Sequence, residues 1–371
     1  TPGAVVLRTE ELELIQYRPQ TERVREVPLV IVPPTINKYY VLDLAPGRSL
    51  VEHLVQNGQQ VFMISWRNPD ARHADWGLDT YVRAVLDALD AVERVCGTDR
   101  TALFGFCSGG IIASLTAAYL AGTGQRSRLA AFGLGVTVLD FADAGVAGAL
   151  VDRPLAAAAK AASQRRGYLD GRALAEVFAW LRPGDLVWHY WVNNYLLGKR
   201  PPAFDLLAWN ADTTRMSARL HADFVDLAVD NRLAVPGETT VRGVPVDLSR
   251  VDVDSYVVAG IADHLTPWQS CYRATGLLGG ESRFILSTSG HIAALVNPPG
   301  NPKASYQVGK ENPADPQAWL KAAEGRQGSW WPDAVAWLGE RCGAEKPAPD
   351  QPGGGGLRPL LDAPGTYVFD S

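Results

Sequence analysis

The chain has 371 residues and a formal net charge of −5, with 47 % hydrophobic and 20 % charged residues. This balance supports a buried core and excludes intrinsic disorder, and the mild negative charge gives no electrostatic footprint for nucleic acid or a membrane surface. The length fits one large α/β unit, or a core with an inserted subdomain.

Short apolar runs predict the strands of a buried sheet. Four lie in the first 140 residues and two in the last third: PLVIVPP from Pro28, VFMISW from Val61, TALFGF from Thr101, LAAFGLGVTVL from Leu129, SYVVAG from Ser255 and RFILSTSG from Arg283. Runs that are apolar on both faces are typical of parallel sheets covered by helices. Helix-like segments such as TYVRAVLDALDAVERV, from Thr80, lie between them. The alternation predicts an α/β fold with a mostly parallel central sheet and helices on both faces.

The alternation breaks between residues 140 and 250, where alanine-rich stretches precede the aromatic-rich segment LRPGDLVWHYWVNNYLLGKRPPAFDLLAWN. This predicts an inserted helical cap over 140–250, between core segments 1–139 and 251–343. Insertions at this edge of an open sheet build covers over substrate sites, although a helical packing element without a gating role is the alternative. The segment 344–371 is rich in Pro and Gly, which predicts a linker or loose C-terminal arm.

One uncharged stretch, Ala102 to Gln125, is long enough to raise the alternative of a membrane span. Cys-Ser-Gly-Gly in its middle divides it into a strand, a turn and a small-residue helix, so we expect no transmembrane segment. The chain begins with Thr-Pro-Gly, without Met and without a secretory signal, which suggests a fragment of a longer protein.

Cys107 and Ser108 lie side by side in the segment ALFGFCSGGI, and either residue type can act as a nucleophile. A nucleophile at a sharp strand-to-helix turn needs small residues two positions away on each side, because larger side chains would keep the turn from closing. Gly105 and Gly109 meet this requirement around Cys107, whereas Phe106 flanks Ser108. The spacing selects Cys107 and predicts an α/β-hydrolase fold. The alternative is that Cys107 is a buried cysteine in a glycine-rich turn with no catalytic role.

The nucleophile of such a fold is followed along the chain by an acid and then a histidine. His291, in STSGHIAALVNPP, follows the last predicted strand in a glycine-containing loop that suits a base. Asp263, in GIADHLTPW, follows the preceding strand, from which the acid of these folds comes. Its neighbour His264 is interpreted as structural. The predicted catalytic set is therefore Cys107, Asp263 and His291.

An oxyanion hole in this fold uses the backbone N–H after the nucleophile and a second N–H from the loop after an early strand. The first belongs to Ser108, whose hydroxyl is then expected to be a bystander. The second is predicted at Ile36, in the loop PPTINKYY. Asn37 and Lys38 lie in the same loop. They could have a role in the site or could instead be simple loop-capping residues, and the sequence favours neither interpretation.

The four cysteines are irregularly spaced and include no CxxC pair. This predicts neither a disulfide framework nor a zinc site, and no metal or redox cofactor is expected. Cys96, Cys271 and Cys342 are interpreted as small buried hydrophobes or idle thiols. A reducing cytoplasm is the expected compartment.

With these residues assembled, the chain resembles polyhydroxyalkanoate synthases. Matching segments follow one another over nearly the whole chain: PPTINKYYVLDL, SWRNPD, GFCSGG, LRPGDLVWHYWVNNYLLG, FDLLAWN, ADHLTPW, SGHIAALVNPP and GSWWPDAVAWL. The catalytic cysteine, aspartate and histidine of that family fall on Cys107, Asp263 and His291. The GFC elbow and the WWPD segment look more like the short-chain-accepting single-subunit type than the medium-chain type.

The resemblance implies polymerisation of (R)-3-hydroxyacyl-CoA into polyester, with a growing chain as acceptor and CoA as product. It also implies a homodimer at cytoplasmic polymer granules, and an N-terminal domain that precedes this catalytic part. A thiolate suits a thioester substrate because acyl exchange between the two is nearly balanced in energy. Aromatic residues of the cap are expected to exclude water or, alternatively, to serve packing or dimer contacts: Trp188, Tyr190, Trp191, Tyr195 and Trp209.

Two rival functions come from other classes. A cysteine hydrolase or thioesterase of the same fold would release free hydroxy acid. A granule-binding scaffold would have no activity, although the predicted set of Cys107, Asp263 and His291 argues against it.

Overall fold

The computed structural model describes residues 1–142, 153–173 and 205–371. Its strands are β1 Gly3–Arg8, β2 Leu12–Tyr17, β3 Arg23–Arg25, β4 Leu29–Val32, β5 Val61–Trp66, β6 Thr101–Phe106, β7 Leu129–Gly135, β8 Tyr168–Leu169, β9 Met216–Ser217, β10 Thr240–Val241, β11 Val244–Pro245, β12 Ser255–Gly260, β13 Ser282–Ser287, β14 Ser305–Val308, β15 Glu324–Gln327, β16 Glu345–Pro347 and β17 Leu361–Asp362. All six predicted strands are present, as β4, β5, β6, β7, β12 and β13.

Those six strands are the parallel centre of a large sheet, in the order β5-β4-β6-β7-β12-β13. Antiparallel strands that were not predicted extend it on both sides, with β2, β1 and β17 beyond β5, and β14 and β15 beyond β13. The predicted mostly parallel α/β architecture is confirmed for the centre of the sheet. The flanking strands were not predicted because strands such as β15, with the sequence EGRQ, have no apolar pattern. They form strands because they pair with neighbouring strands.

Helices cover the sheet on both faces. They are Leu50–Gln56, Leu78–Cys96, Ser108–Gly122, Arg153–Arg166, Asp205–Ala211, Ala218–Val229, Trp268–Tyr272, Ala274–Leu277, His291–Leu295, Pro316–Ala322 and Trp331–Arg341. Alternate residues of β4 show the two layers: Val30 and Val32 pack into one core, and Leu29 and Ile31 pack into the other. A strand buried on both faces must be apolar at every position, which is why these runs were visible in the sequence.

The described parts of the predicted cap contain three of these helices, at 153–166, 205–211 and 218–229. They also contain two short antiparallel pairs, β8 with β9 and β10 with β11, where the sequence predicted helices alone. Each pair is two residues long, too short to leave an alternating pattern in the sequence.

The segment 344–371 is packed against the core, so the expectation of a loose arm is wrong. Its strands pair with others, β16 with β3 and β17 with β1. The buried carboxylate of Glu13 accepts hydrogen bonds from the N–H groups of Thr366 at 2.9 Å and Tyr367 at 3.0 Å. Composition rich in Pro and Gly predicts flexibility only for a segment without partners, and here a sheet edge and a buried carboxylate supply them.

Among the described residues, no helix combines the length and the apolar character that a membrane span requires. The uncharged stretch that raised this alternative is divided between β6 and the helix Ser108–Gly122.

Candidate active site

The site lies where the strand order of the sheet reverses. The chain passes from β4 to β5 on one side, and then to β6 on the other side of β4. The carboxyl ends of β4 and β6 are therefore adjacent, and the loops that follow them diverge. In open α/β sheets such a point forms a crevice that receives ligands.

Cys107 joins β6 to the helix Ser108–Gly122 with φ 51° and ψ −124°, a conformation that non-glycine residues rarely adopt. The turn closes only because its flanks lack side chains. A Cβ at Gly105 would lie 2.6 Å from the helix backbone, and a Cβ at Gly109 would lie 2.3 Å from the carbonyl oxygen of Pro33. These contacts supply the steric reason for the glycine spacing that was read from the sequence.

Asp263 and His291 meet although 28 residues separate them. They follow β12 and β13, which are parallel neighbours, so their loops emerge at the same edge of the sheet. The Nδ1 atom of His291 lies 2.7 Å from Oδ2 of Asp263, and each residue is only 8 % exposed. Asp263 and His291 therefore form a buried, hydrogen-bonded pair at this edge of the sheet.

Every oxygen of the Asp263 carboxylate is engaged. Oδ1 accepts from the N–H groups of Leu265 at 2.9 Å and Thr266 at 3.0 Å, and Oδ2 also accepts from the Thr266 hydroxyl at 2.6 Å. Burial acts to raise the pKa of Asp263, but the charge of His291 and the hydrogen bonds from His291 and Thr266 outweigh it and lower the pKa. Asp263 is therefore held as a carboxylate.

Thr266 is a site residue that the sequence reasoning missed. Its hydroxyl lies 3.2 Å from Nδ1 of His291 as well as bonding to Asp263. The available signal was a hydroxyl residue three positions after an aspartate in a loop, a spacing at which side chain and backbone commonly bond.

Cys107 is close enough to His291 to act on the ionisation of its imidazole. Burial acts to lower the pKa of His291, but the charges of Asp263 and Cys107 and the hydrogen bonds with both raise it to about 10. The structure thus brings together the three residues predicted to be catalytic, with His291 hydrogen-bonded to Asp263 and close to Cys107.

The Ser108 hydroxyl is not a bystander, contrary to the sequence-based expectation. Its Oγ accepts a hydrogen bond from the backbone N–H of Thr35 at 2.9 Å, and the two hydroxyl oxygens are 3.1 Å apart. Both residues are buried. A buried hydroxyl requires a partner, but the partner here comes from a loop 73 residues away in sequence, so its identity was not predictable locally.

Ile36 lies in the loop after β4, beside this contact. Its carbonyl accepts from the N–H of Thr214 at 3.0 Å, and its side chain packs against the core. Within the ranges that the structure describes, its own N–H makes no hydrogen bond. The N–H of Thr35, by contrast, is occupied by Ser108.

Lys38 of the same loop matches the interpretation as a capping residue, because its side chain holds the loop in place. Its buried ammonium donates to the carbonyl oxygens of Val368 at 2.5 Å and Asp370 at 2.6 Å. The carbonyl of Lys38 accepts from Nε1 of Trp209 at 2.8 Å. The loop is thereby tied to both the C-terminal segment and the insertion.

Of the aromatic residues predicted to exclude water, Trp209 is buried and bonded to this loop. The other four lie outside the described residues: Trp188, Tyr190, Trp191 and Tyr195. The role of Trp209 in the structure is packing and anchoring, which is the alternative given above for this residue.

The other cysteines are held as thiols. Burial raises the pKa of Cys96 to about 12 and that of Cys342 to about 11, and it also raises the pKa of the buried Cys271. In the part of the chain covered by the structure, no group of three or more His, Cys, Asp or Glu side chains could hold a metal ion.

Residues 28–298 match the family model of the alpha/beta hydrolase fold. The chain belongs to the α/β-hydrolase family, which confirms the predicted fold class. Residues 1–54 match a second model, described as the N-terminus of poly-beta-hydroxybutyrate polymerase.

Curated relatives narrow this assignment. The chain is 48 % identical over 369 residues to poly(3-hydroxyalkanoate) polymerase 2 of Ectopseudomonas oleovorans, covering 100 % of this chain and 66 % of the relative. It is 43 % identical over 375 residues to the poly(3-hydroxyalkanoate) polymerase subunit PhaC of Cupriavidus necator, covering 99 % and 64 %. The resemblance to polyhydroxyalkanoate synthases is thereby confirmed.

The chain spans less than two thirds of the length of either polymerase. The names of these relatives state no monomer length, so the short-chain interpretation stays a prediction. Among solved structures, the chain is similar to a hydrolase from Pseudomonas aeruginosa, with a TM-score of 0.47 and 18 % identity over 79 % of this chain and 92 % of the other.

Proposed function

We propose that this chain is the catalytic part of an acyltransferase that polymerises (R)-3-hydroxyacyl-CoA into polyhydroxyalkanoate and releases CoA. One observation carries the proposal: at the switch point of the sheet, the imidazole of His291 is hydrogen-bonded to the carboxylate of Asp263 and lies close to the thiol of Cys107. The sequence similarity to polymerases supplies the substrate class.

In the first step, the sulfur of Cys107 attacks the thioester carbonyl carbon while its proton is held by His291, whose pKa is raised to about 10. Because Nδ1 of His291 is bonded to Asp263, the other ring nitrogen, Nε2, is the one that exchanges this proton. The bond between the acyl carbon and the CoA sulfur breaks, and CoA leaves as a thiol with the proton from His291. One thioester replaces another, so the acyl group remains activated.

In the second step, a hydroxyl of the growing chain or of the next monomer attacks the acyl-enzyme. The hydroxyl gives its proton to His291, and its oxygen forms the new ester bond. The bond between the acyl carbon and Cys107 breaks, and the sulfur recovers a proton from His291. Both steps pass through a tetrahedral intermediate, whose oxyanion would be held by the N–H groups of Ser108 and Ile36.

Asp263 has two conceivable roles, orienting His291 or deprotonating the acceptor hydroxyl. Its side chain has no exposed surface, and both of its oxygens are already bonded to His291, Leu265 and Thr266. A group so enclosed cannot meet a substrate hydroxyl without losing those bonds. The geometry therefore supports the orienting role, in which Asp263 selects the tautomer of His291 and stabilises its charged form.

The assembly and location of the whole protein are also part of the proposal. A homodimer at the surface of cytoplasmic polymer granules is what the resemblance implies. An aromatic cap that excludes water would favour the hydroxyl acceptor over hydrolysis.

The test is incubation with 3-hydroxybutyryl-CoA while CoA release and turbidity are followed together. Release with turbidity supports the synthase, release without turbidity indicates a thioesterase, and neither signal favours a scaffold. Cys107→Ala should reduce CoA release by at least about 10³-fold, since it removes the covalent step.

Cys107→Ser should also be severely impaired, because an oxygen ester is a poorer acyl donor than a thioester. Cys342→Ala, which removes a buried thiol with a raised pKa, is the matched control and should retain release. Release by Cys107→Ala close to that of the unmodified chain would remove the proposal.

A further inference from the structure

The side chain next to the nucleophile is turned toward the loop after β4. Ser108 is 6 % exposed and Thr35 is 5 % exposed, so the hydrogen bond between them is shielded from water. A buried backbone N–H in an irregular loop needs an acceptor. The chain supplies that acceptor from the residue directly after Cys107, which ties the loop to the nucleophile turn.

The opposite side of the same loop is held by the insertion. Thr214 is 7 % exposed, and its hydroxyl donates to the carbonyl oxygen of Thr35 at 3.0 Å. Its backbone N–H donates to the carbonyl oxygen of Ile36, also at 3.0 Å. Thr35 is thus bonded through its N–H to Ser108 and through its C=O to Thr214.

These two bonds determine where the N–H of Ile36 points. The carbonyl of Thr35 and the N–H of Ile36 belong to one planar trans peptide unit, so they point in opposite directions. When Thr214 holds the carbonyl, the N–H is directed away from Thr214. Ser108 fixes the preceding peptide unit, which leaves little freedom for the plane to rotate.

We propose that the hydroxyls of Ser108 and Thr214 are positioning groups that aim the N–H of Ile36 at the oxyanion formed during attack by Cys107. This inference rests on the proposed function, since it assigns the second donor of the oxyanion hole. Ser108 then acts twice, with its N–H as a donor to the oxyanion and with its hydroxyl as the support of the other donor. The insertion takes part in the chemistry through Thr214 without touching the reacting atoms.

The proposal predicts a specific kinetic signature. A fixed oxyanion donor is worth about 10²- to 10³-fold in kcat, and a misdirected one retains part of that effect. Ser108→Ala should therefore lower kcat for CoA release by about 10- to 100-fold and change KM by no more than about twofold. Alkylation of Cys107 by iodoacetamide should keep its rate, because that reaction forms no oxyanion.

Ser114→Ala is the matched control for loss of a buried hydroxyl in the same helix. The Ser114 hydroxyl donates to the carbonyl oxygen of Gly110 at 2.8 Å, within the helix. Its removal should leave both kcat and alkylation unchanged. Thr214→Val should reproduce the loss of kcat, and Thr214→Ser, which keeps the hydroxyl, should restore it.

Equal kcat in Ser108→Ala and Ser114→Ala would overturn the proposal, as would a parallel fall in kcat and alkylation rate. If Ser108→Ala does not fold, the comparison of Thr214→Val with Thr214→Ser decides, and equal activity of these two variants overturns the proposal. The failure of the proposed function would look different, because the unmodified chain itself would then show no Cys107-dependent CoA release.

Discussion

The two halves of the site reach the same edge of the sheet by different means. The first half surrounds Cys107, the proposed nucleophile, and we call it the nucleophile half. It is one continuous stretch of chain, in which Gly105 and Gly109 let a strand, a sharp turn and a helix pack without side chains between them. The second half contains Asp263 and His291, the proposed base, and we call it the base half. It joins the two loops that follow β12 and β13. Hydrogen bonds connect these loops, from the N–H of Ile261 to Ser287 at 2.9 Å and from the N–H of Ala262 to Ser289 at 3.0 Å.

Steric contacts fix the geometry of the nucleophile half, whereas polar contacts fix the geometry of the base half. Both halves hold a non-glycine residue at positive φ, 51° at Cys107 and 87° at Ser289. Close backbone packing maintains the first conformation, whereas hydrogen bonds and the buried pair of Asp263 and His291 surround the second. Changes of volume should therefore damage the nucleophile half, and changes of charge or protonation should damage the base half.

The largest effect should come from Asp263→Asn in the polar half. An amide at this position can present its NH₂ to His291 and favour the wrong tautomer, so kcat for CoA release should fall by about 10⁴-fold. The melting temperature should also fall, because His291 loses its charged partner. Steady-state kinetics together with thermal melting would measure this.

Asp247→Asn is the control, because that carboxylate also accepts from a local N–H, that of Ser249 at 3.0 Å. Its activity should stay within about twofold of the unmodified chain. If kcat of Asp263→Asn fell by less than about tenfold, the base half would not depend on the charge of Asp263, and the contrast between polar and steric control would fail.

The next effect should come from volume in the steric half. A methyl group at Gly109 would lie 2.3 Å from a backbone oxygen of Pro33 and 2.4 Å from one of Val32, neither of which can rotate away. Gly109→Ala should lower the free energy of unfolding by about 1–3 kcal/mol and should also lower kcat. Urea denaturation would measure the stability.

Gly276→Ala is the control, since a Cβ there would have no atom within 4 Å. It should be neutral or stabilising by up to about 1 kcal/mol. If Gly109→Ala were as stable as Gly276→Ala, the close packing at the nucleophile turn would not be a constraint.

The smallest effect should be a pH dependence of stability that originates in the base half. The pKa of His291 is raised to about 10 from its ordinary value near 6.5. The stabilisation from its pairing is thus complete below pH 6.5 and is lost as the pH rises through about 10. The melting temperature should fall by a few degrees, about 5 °C, between pH 7 and pH 10 as a result.

His291→Gln removes the titrating group and should show a smaller fall over the same interval. Gly109→Ala, which leaves His291 in place, should keep the slope of the unmodified chain. Identical slopes in His291→Gln and the unmodified chain would show that the base half does not depend on protonation.

Much of the fold was predictable because the parallel strands are buried on both faces. Leu29 to Val32 are apolar at every position for that reason, and the same holds for the other central strands. The flanking strands were not predictable, since β2 carries Glu13 and Gln16 in buried positions where a sequence pattern predicts apolar residues. Arg8 of β1 bonds to Glu13, and the other partners that make these polar residues tolerable come from the C-terminal segment.

The sequence by itself determined the nucleophile turn, because the steric demands of Cys107 fall on glycines within two residues of it. It also singled out Asp263 and His291, since each directly follows a strand whose apolar pattern is local. Only the tertiary structure decided what the polar groups bond to. Ser108 meets Thr35 across 73 residues, and Glu13 meets Thr366 across 353. Steric constraints act between neighbours along the chain, whereas a buried hydrogen bond depends on which distant backbone the fold brings within 3 Å.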